Sequence, residues 1–193
     1  MPPSQPRSPA RRTDAERNRD KILNVARTAF ADPAAEVSMA EISRRAGVGM
    51  ATLYRNFPGR RELLEALYTE EVDAICAAAR APGASLSSWL HQLFAFFASK
   101  QHIAAELLKH TGSGDPVFGG GRARVVAAGQ PLLAAAQRAR ETRDDVTIDQ
   151  VLDLIHAVAT IEGDASYVAP ILRTALDGLR VGGQQGDFTW PRE

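Results

Sequence analysis

From Thr13 onward, apolar residues recur every three to four positions and no segment alternates apolar with polar, so the chain is expected to be all-α. Thr13 and Glu16 are spaced as a capping box, and Ile22, Leu23, Ala26 and Phe30 share one face of the helix that follows. Asp32-Pro33 ends it. At the next start Ser38 can cap, Glu41 stands three residues on, and Val37 and Ile42 take the staple positions. That short helix stops at Ala46-Gly47, where glycine can turn left-handed, and a second runs from about Met50 to Phe57. Pro58-Gly59 breaks the chain before a long helix from about Arg60 to Arg80.

Beyond Ala81-Pro82-Gly83 the helical pattern resumes. Residues 86–100 and 103–110 read as two helices, and 112–121 as a flexible loop. Residues 122–141 read as a helix kinked or started by Pro131, and 147–163 as one opened by the capping box of Thr147 and Gln150. Pro170 fits the first turn of a last helix ending near Val181. Residues 1–12, rich in Pro, Ser and Arg, read as a disordered basic arm, and 183–193 as a flexible tail. The expected organisation is a three-helix N-terminal domain over 13–62 and a larger helical domain over 63–182.

Composition narrows the class. The 193 residues are 45% hydrophobic, enough for a real core in one or two small domains. No apolar run reaches the roughly 18 residues of a membrane span, and the N-terminus lacks the apolar stretch of a secretory signal. Cys76 is the only cysteine, which excludes an internal disulfide and suits a reducing compartment. A soluble cytoplasmic protein is expected. His91, His102, His110 and His156 form no dense ligand motif, and no Gly-rich phosphate loop is present, so neither metal nor cofactor is expected.

The zero net charge hides an uneven distribution. Residues 1–61 hold 12 Lys/Arg against 6 Asp/Glu, and residues 62–193 hold 11 against 17. A basic head on an acidic body suits polyanion binding, although chance clustering on solvated helices gives the same counts. Two short helices joined by a glycine turn inside that head have the helix-turn-helix arrangement, with Ile42, Ala46, Val48 and Leu53 placed to set the interhelical angle. The second helix would then bring its first residues into the major groove, where each base pair shows a distinct pattern. A plain helical hairpin in a bundle has the same spacing.

Residues 38–64, SMAEISRRAGVGMATLYRNFPGRRELL, resemble the DNA-binding signature of the TetR family of bacterial transcriptional regulators. The matching positions are Ile42, Ala46, Gly47, Val48, Thr52, Leu53, Tyr54, Phe57, Arg60, Leu63 and Leu64, and the match extends over roughly residues 17–66. The resemblance implies phosphate contacts from Ser38, Thr52 and Tyr54, and from Arg60 where the family usually has lysine. Met50 and Ala51 would meet thymine methyl groups and Gly49 would permit close approach. Arg44, Arg55 and Asn56 are the candidates for directional base contacts, Arg44 lying on a base edge or else on a phosphate or in solvent. Arg7, Arg11 and Arg12 either enter a minor groove or stay in a solvated tail.

The resemblance also implies a sequence-specific transcriptional regulator, a repressor released from a palindromic double-stranded DNA operator by a small-molecule effector. It implies a homodimer through the helices at 147–163 and 170–181; the first of these is apolar over more than one face. Trp89, Leu93, Phe94, Phe97, Ile103, Leu107, Phe118, Val125 and Ile155 are candidate lining residues for the effector, with plain core as the alternative for each. Glu162 and Asp164 are placed to receive a cationic ligand group, or are simply solvated. An enzymatic body and an architectural DNA binder are the competing readings. The sequence supplies neither a nucleophile with its base nor a carboxylate pair for the first.

Overall fold

The structure is a computed structural model that describes residues 9–30, 37–111 and 116–182. Among them run α1 (Pro9–Ala29), α2 (Met39–Ala46), α3 (Met50–Asn56), α4 (Arg60–Ala79), α5 (Leu86–Thr111), α6 (Pro116–Arg138), α7 (Ile148–Ala159) and α8 (Ala165–Asp177). No strand forms among the described residues; one antiparallel bridge joins Thr142 to Arg180. The fold is all-α, as the periodicity predicts. No described helix is long and apolar enough to cross a membrane.

Several boundaries differ from those expected. Helix α1 begins at Pro9, four residues ahead of the Thr13 cap and inside the stretch read as an arm. Proline is well suited to the first helical position, where its missing N–H would have no partner, and the residues after it are good helix formers. Residues 1–8, Arg7 among them, and the tail from 183 lie outside the described residues. The two helices expected over 86–110 are one, α5, since Lys100 and Gln101 between them favour helix. Helix α6 starts at Pro116, so residues 116–121 of the expected loop are helical; Val117 and Phe118 pack on the neighbouring core and outweigh the poor propensity of Gly119–Gly121. Pro131 lies within α6 and neither starts nor ends it. In α8, Pro170 stands in the second turn, because the helix is opened earlier by Asp164.

The chain forms two compact units. One comprises the residues through Asp73 with Ser99–Gly121, the other Ala74–Ala98 with the residues from Arg122 onward. Helices α4, α5 and α6 each contribute to both units.

In the first unit α1 buries Ile22, Leu23, Ala26, Ala29 and the following Phe30. Against them lie Ile42 and Ala46 of α2, Leu53 of α3, Phe57, and Leu63, Leu64 and Leu67 of α4. Ile103 and Leu107 of α5 complete this core. Each fully buried side chain of this size contributes about 1.5–3 kcal/mol relative to exposure. Arg27 ties α1 to α4 through Glu71 at 2.8 Å and Glu70 at 2.9 Å.

In the second unit Trp89 is fully buried and its indole N–H donates to the Ile75 carbonyl at 3.0 Å. Leu90, Leu93, Leu133, Ile148, Val151, Leu152, Ile155 and Val158 are buried in the same unit. The Thr147 capping box is complete: the Gln150 N–H donates to Thr147 Oγ1, and the Thr147 N–H donates to Gln150 Oε1.

Gly129 of α6 faces the Trp89 ring so closely that a Cβ there would overlap the indole carbons. Gly119 in the same helix has open space at the corresponding position. Gly129→Ala is therefore expected to lower unfolding stability by about 1–3 kcal/mol through overpacking. Gly119→Ala is expected to raise it by roughly 0.4–1 kcal/mol by restricting the unfolded chain. Urea titration of both variants checks the opposite signs; equal effects would remove Trp89 as the cause.

Candidate nucleic-acid interface

The helix-turn-helix is built from local signals. Ser38 has extended backbone, and its Oγ accepts the Glu41 N–H at 3.2 Å, capping α2. Gly47 takes φ 64°, and the Val48 N–H then reaches back to the Ser43 carbonyl at 3.1 Å and the Gly47 N–H to that of Arg44 at 3.3 Å. This pair of bonds closes α2 and turns the chain towards α3. The buried Ser43 hydroxyl donates to the Val48 carbonyl at 2.6 Å and locks the same turn. Ile42 and Leu53, both fully buried, pin the two helices to α1.

With Leu53 turned inward, the rest of α3 faces out. Met50, Ala51, Tyr54 and Arg55 are exposed, and Thr52 and Asn56 are half-buried. Met50 and Tyr54, at 39% and 46% exposure, are among the few large apolar side chains left to solvent among the described residues. Gly49 supplies the N-cap without any side-chain bond, so α3 opens on bare backbone N–H groups. Two of the expected contacts are tied within α3. Arg55 Nη2 donates to Thr52 Oγ1 at 2.9 Å, and Asn56 Nδ2 donates to the Thr52 carbonyl at 2.8 Å, leaving Asn56 Oδ1 as an acceptor.

Arg60 has a different set of partners from the phosphate expected for it. Its Nε and Nη2 donate to Glu106 Oε1 at 3.0 and 2.8 Å, and its Nη1 donates to the Val37 carbonyl. The guanidinium also lies over the Phe30 ring, 4.7 Å from its centroid. The side chain thus joins α1, the residue before the Ser38 cap, α4 and α5 within one unit. Arg19 over the Phe57 ring, also at 4.7 Å, is a second such contact. Neither contact follows from helical spacing, because each joins residues distant in sequence.

Glu41 completes only half of a capping box. Its backbone N–H is held by Ser38, but its carboxylate turns to Arg44 and Arg45. The side-chain hydrogen bonds from these two arginines, Arg44 first, hold its pKa down at about 2.

The nine residues considered as an effector lining are divided between the two units. Ile103, Leu107 and Phe118 belong to the first unit, and the first two are part of its core. The other six belong to the second unit, where Trp89, Leu93, Val125 and Ile155 are buried and Phe94 and Phe97 half-buried. Phe97 stacks edge-on against His156 at 5.1 Å. Two open recesses in this unit, of about 500 and 420 Å³, are lined by none of the nine. Arg140, Thr142, Arg180 and Val181 border both. Asp164 caps α8, accepting from the Ser166 and Tyr167 N–H groups, and its pKa is lowered first by the Ser166 hydroxyl. Its carboxylate therefore has a structural task. Among the described residues no group of acids, histidines and cysteine is disposed to hold a metal ion.

Comparison with known proteins agrees with the geometry. Residues 22–67 match the family described as bacterial regulatory proteins, tetR family, and residues 81–181 match the C-terminal domain of SbtR-like transcriptional regulators. A TetR transcription regulatory protein from Mycobacterium vanbaalenii is 33% identical, with a TM-score of 0.71 over 88% of this chain and 99% of that one. A TetR transcriptional regulator from Streptomyces coelicolor is 29% identical, with a TM-score of 0.69 over 86% and 99%. GusR of Salmonella enterica shares the fold at 21% identity and a TM-score of 0.61, over 84% of this chain and 95% of that one. No curated protein matches the chain. With its DNA-binding segment and its C-terminal domain both matched, the chain belongs to the TetR family of bacterial transcriptional regulators.

Proposed function

We propose that this regulator is a cytoplasmic repressor that binds a palindromic operator as a homodimer and leaves it when a small molecule occupies the body. The observation that carries the reading is the outward face of α3, where Met50, Ala51, Tyr54 and Arg55 stand exposed on a helix pinned from behind by Leu53. In the proposed complex Ser38, Thr52 and Tyr54 donate to phosphates and fix the register. Met50 and Ala51 lie against thymine methyls, and Arg44 and Arg55 read base edges. Asn56 contributes through its free Oδ1. Arg60 retains a phosphate role only through the N–H bonds that Glu106 and Val37 leave over, so its main task is to hold the Ser38 cap in place.

The dimer reading rests on α8 more than on α7. Helix α7 buries its apolar side within its own unit, and Asp149 and Asp153 on its outer side pair with Arg122. Helix α8 leaves the large Tyr167 side chain at 61% exposure, which a second copy would cover. Two copies would place two α3 helices about one DNA turn apart, which a palindrome requires. The half-buried Phe94 and Phe97 are the proposed contacts for the effector. A coupling of about 1–3 kcal/mol between the two sites would lower operator affinity roughly 5- to 150-fold.

Selection of bound sequences from random duplex DNA tests the reading; recovery of a palindrome is expected, and recovery of no preferred sequence contradicts it. On the selected duplex, Arg44→Ala is expected to relax preference at one base position per half-site, by about 1–3 kcal/mol. Tyr54→Phe is expected to weaken every duplex alike, by about 0.5–1.5 kcal/mol for one lost hydrogen bond. Equal loss on all sequences for both variants would remove Arg44 from the base-reading set. Sedimentation of Tyr167→Glu is expected to show a dimer at least about tenfold weaker, the cost of one desolvated charge in an apolar contact; an unchanged dimer would place the interface elsewhere.

A further inference from the structure

Glu41 lies on the same outer side of α2 as two arginines and is the partner of both. Its Oε2 accepts Arg44 Nε at 2.8 Å, and its Oε1 accepts both Arg44 Nη2 at 2.7 Å and Arg45 Nε at 2.5 Å. The Glu41 side chain is 29% exposed, whereas those of Arg44 and Arg45 are 74% and 48% exposed. A glutamate three residues after a serine cap ordinarily turns back to the cap's own N–H. Here Ser38 keeps only its half of that exchange, and the acid faces forward. The Arg44 guanidinium is gripped along one edge, through Nε and one N–H of Nη2. Among the described residues no acceptor meets its Nη1 or the second N–H of Nη2, and that fork matches the O6 and N7 acceptors of guanine.

We propose that Glu41 is a specificity-determining positioning residue, which holds Arg44 edge-on for base reading and cancels one of the two cationic charges that Arg44 and Arg45 would otherwise offer to phosphates. The proposal rests on the DNA-reading role of this face and adds to it a reason for placing an acid there. An arginine ordered in advance has lost its rotamer freedom before DNA arrives, and it can sample fewer phosphate positions. The net charge of the three side chains is +1 in place of +2, which weakens attachment to any duplex irrespective of sequence. Binding by base pattern then outweighs binding by charge.

The test compares the full chain with Glu41→Gln on two DNAs, a random-sequence duplex pool and the duplex recovered by selection, by fluorescence anisotropy across a salt series. Glutamine keeps the backbone N–H that Ser38 caps and removes the charge. Affinity of the variant for the random pool is expected to rise, by about eightfold near 0.1 M salt if one phosphate contact is added, and the slope of log affinity against log salt to steepen by about 0.9 per protomer. The selected duplex gains less, so the ratio of selected to random affinity falls. Glu41→Asp, whose shorter arm keeps the charge, is expected to lie between the two and to retain the wild-type slope. An unchanged slope and ratio in a variant that melts like the wild type would overturn the proposal, as would a uniform loss on both DNAs. If the wild-type chain itself shows no preference for the selected duplex, the DNA-reading role fails along with anything built on it.

Discussion

The burial of Ile42 and Leu53 against α1 is the constraint on which the rest of the first unit depends. Each is fully sequestered from solvent, and together they fix how α2 and α3 lie on Ile22, Leu23 and Ala26. A helix as short as α3, seven residues, is not stable by itself in water, so its geometry comes from its neighbours. Pinning Leu53 inward is what turns Met50, Ala51, Tyr54 and Arg55 outward. The left-handed Gly47 and the Ser43 hydroxyl bond to Val48 set the turn that makes this orientation possible.

Around that apolar centre the charged groups have assigned tasks. Arg27 fastens α1 to α4, and Arg60 joins Phe30, Val37 and Glu106. Both guanidiniums are partly buried, where an ion pair counts for more than on an open surface and where loss of one partner is costly. The N-terminal excess of basic residues is thus only partly available to DNA: some of it holds the unit together. Arg44, Arg45 and Arg55 are among the cations left outward, and the first two are already engaged by one carboxylate.

Local signals carried most of what was legible in the sequence. The Ser38 cap, the Gly47 stop, the Thr147–Gln150 box and the core positions of α1 and α2 depend on residues a few positions apart, and all are found where the spacing places them. What was not legible depends on contacts distant in the chain. Arg60 reads as a free cation at a helix start until Glu106 is brought to it 46 residues later. Gly119–Gly121 reads as loop until Val117 and Phe118 find a core, and Gly129 shows no purpose until the Trp89 ring is against it. Asp164 reads as a solvated acid because its capping role depends on α8 beginning before Pro170. The apolar stripe around Trp89 illustrates a different limit, since core and ligand lining have the same periodicity.

The central claim is that the outward side of α3 meets DNA while its inward side stays packed on α1. Amide chemical-shift mapping of the isotope-labelled protein, titrated with its selected duplex, tests this most directly. The account predicts that the largest changes fall on residues 49–56 and 38–45, with the amides of Ile22, Leu23 and Ala26 little disturbed. Large changes confined to residues beyond 80, with 49–56 unmoved, would contradict it.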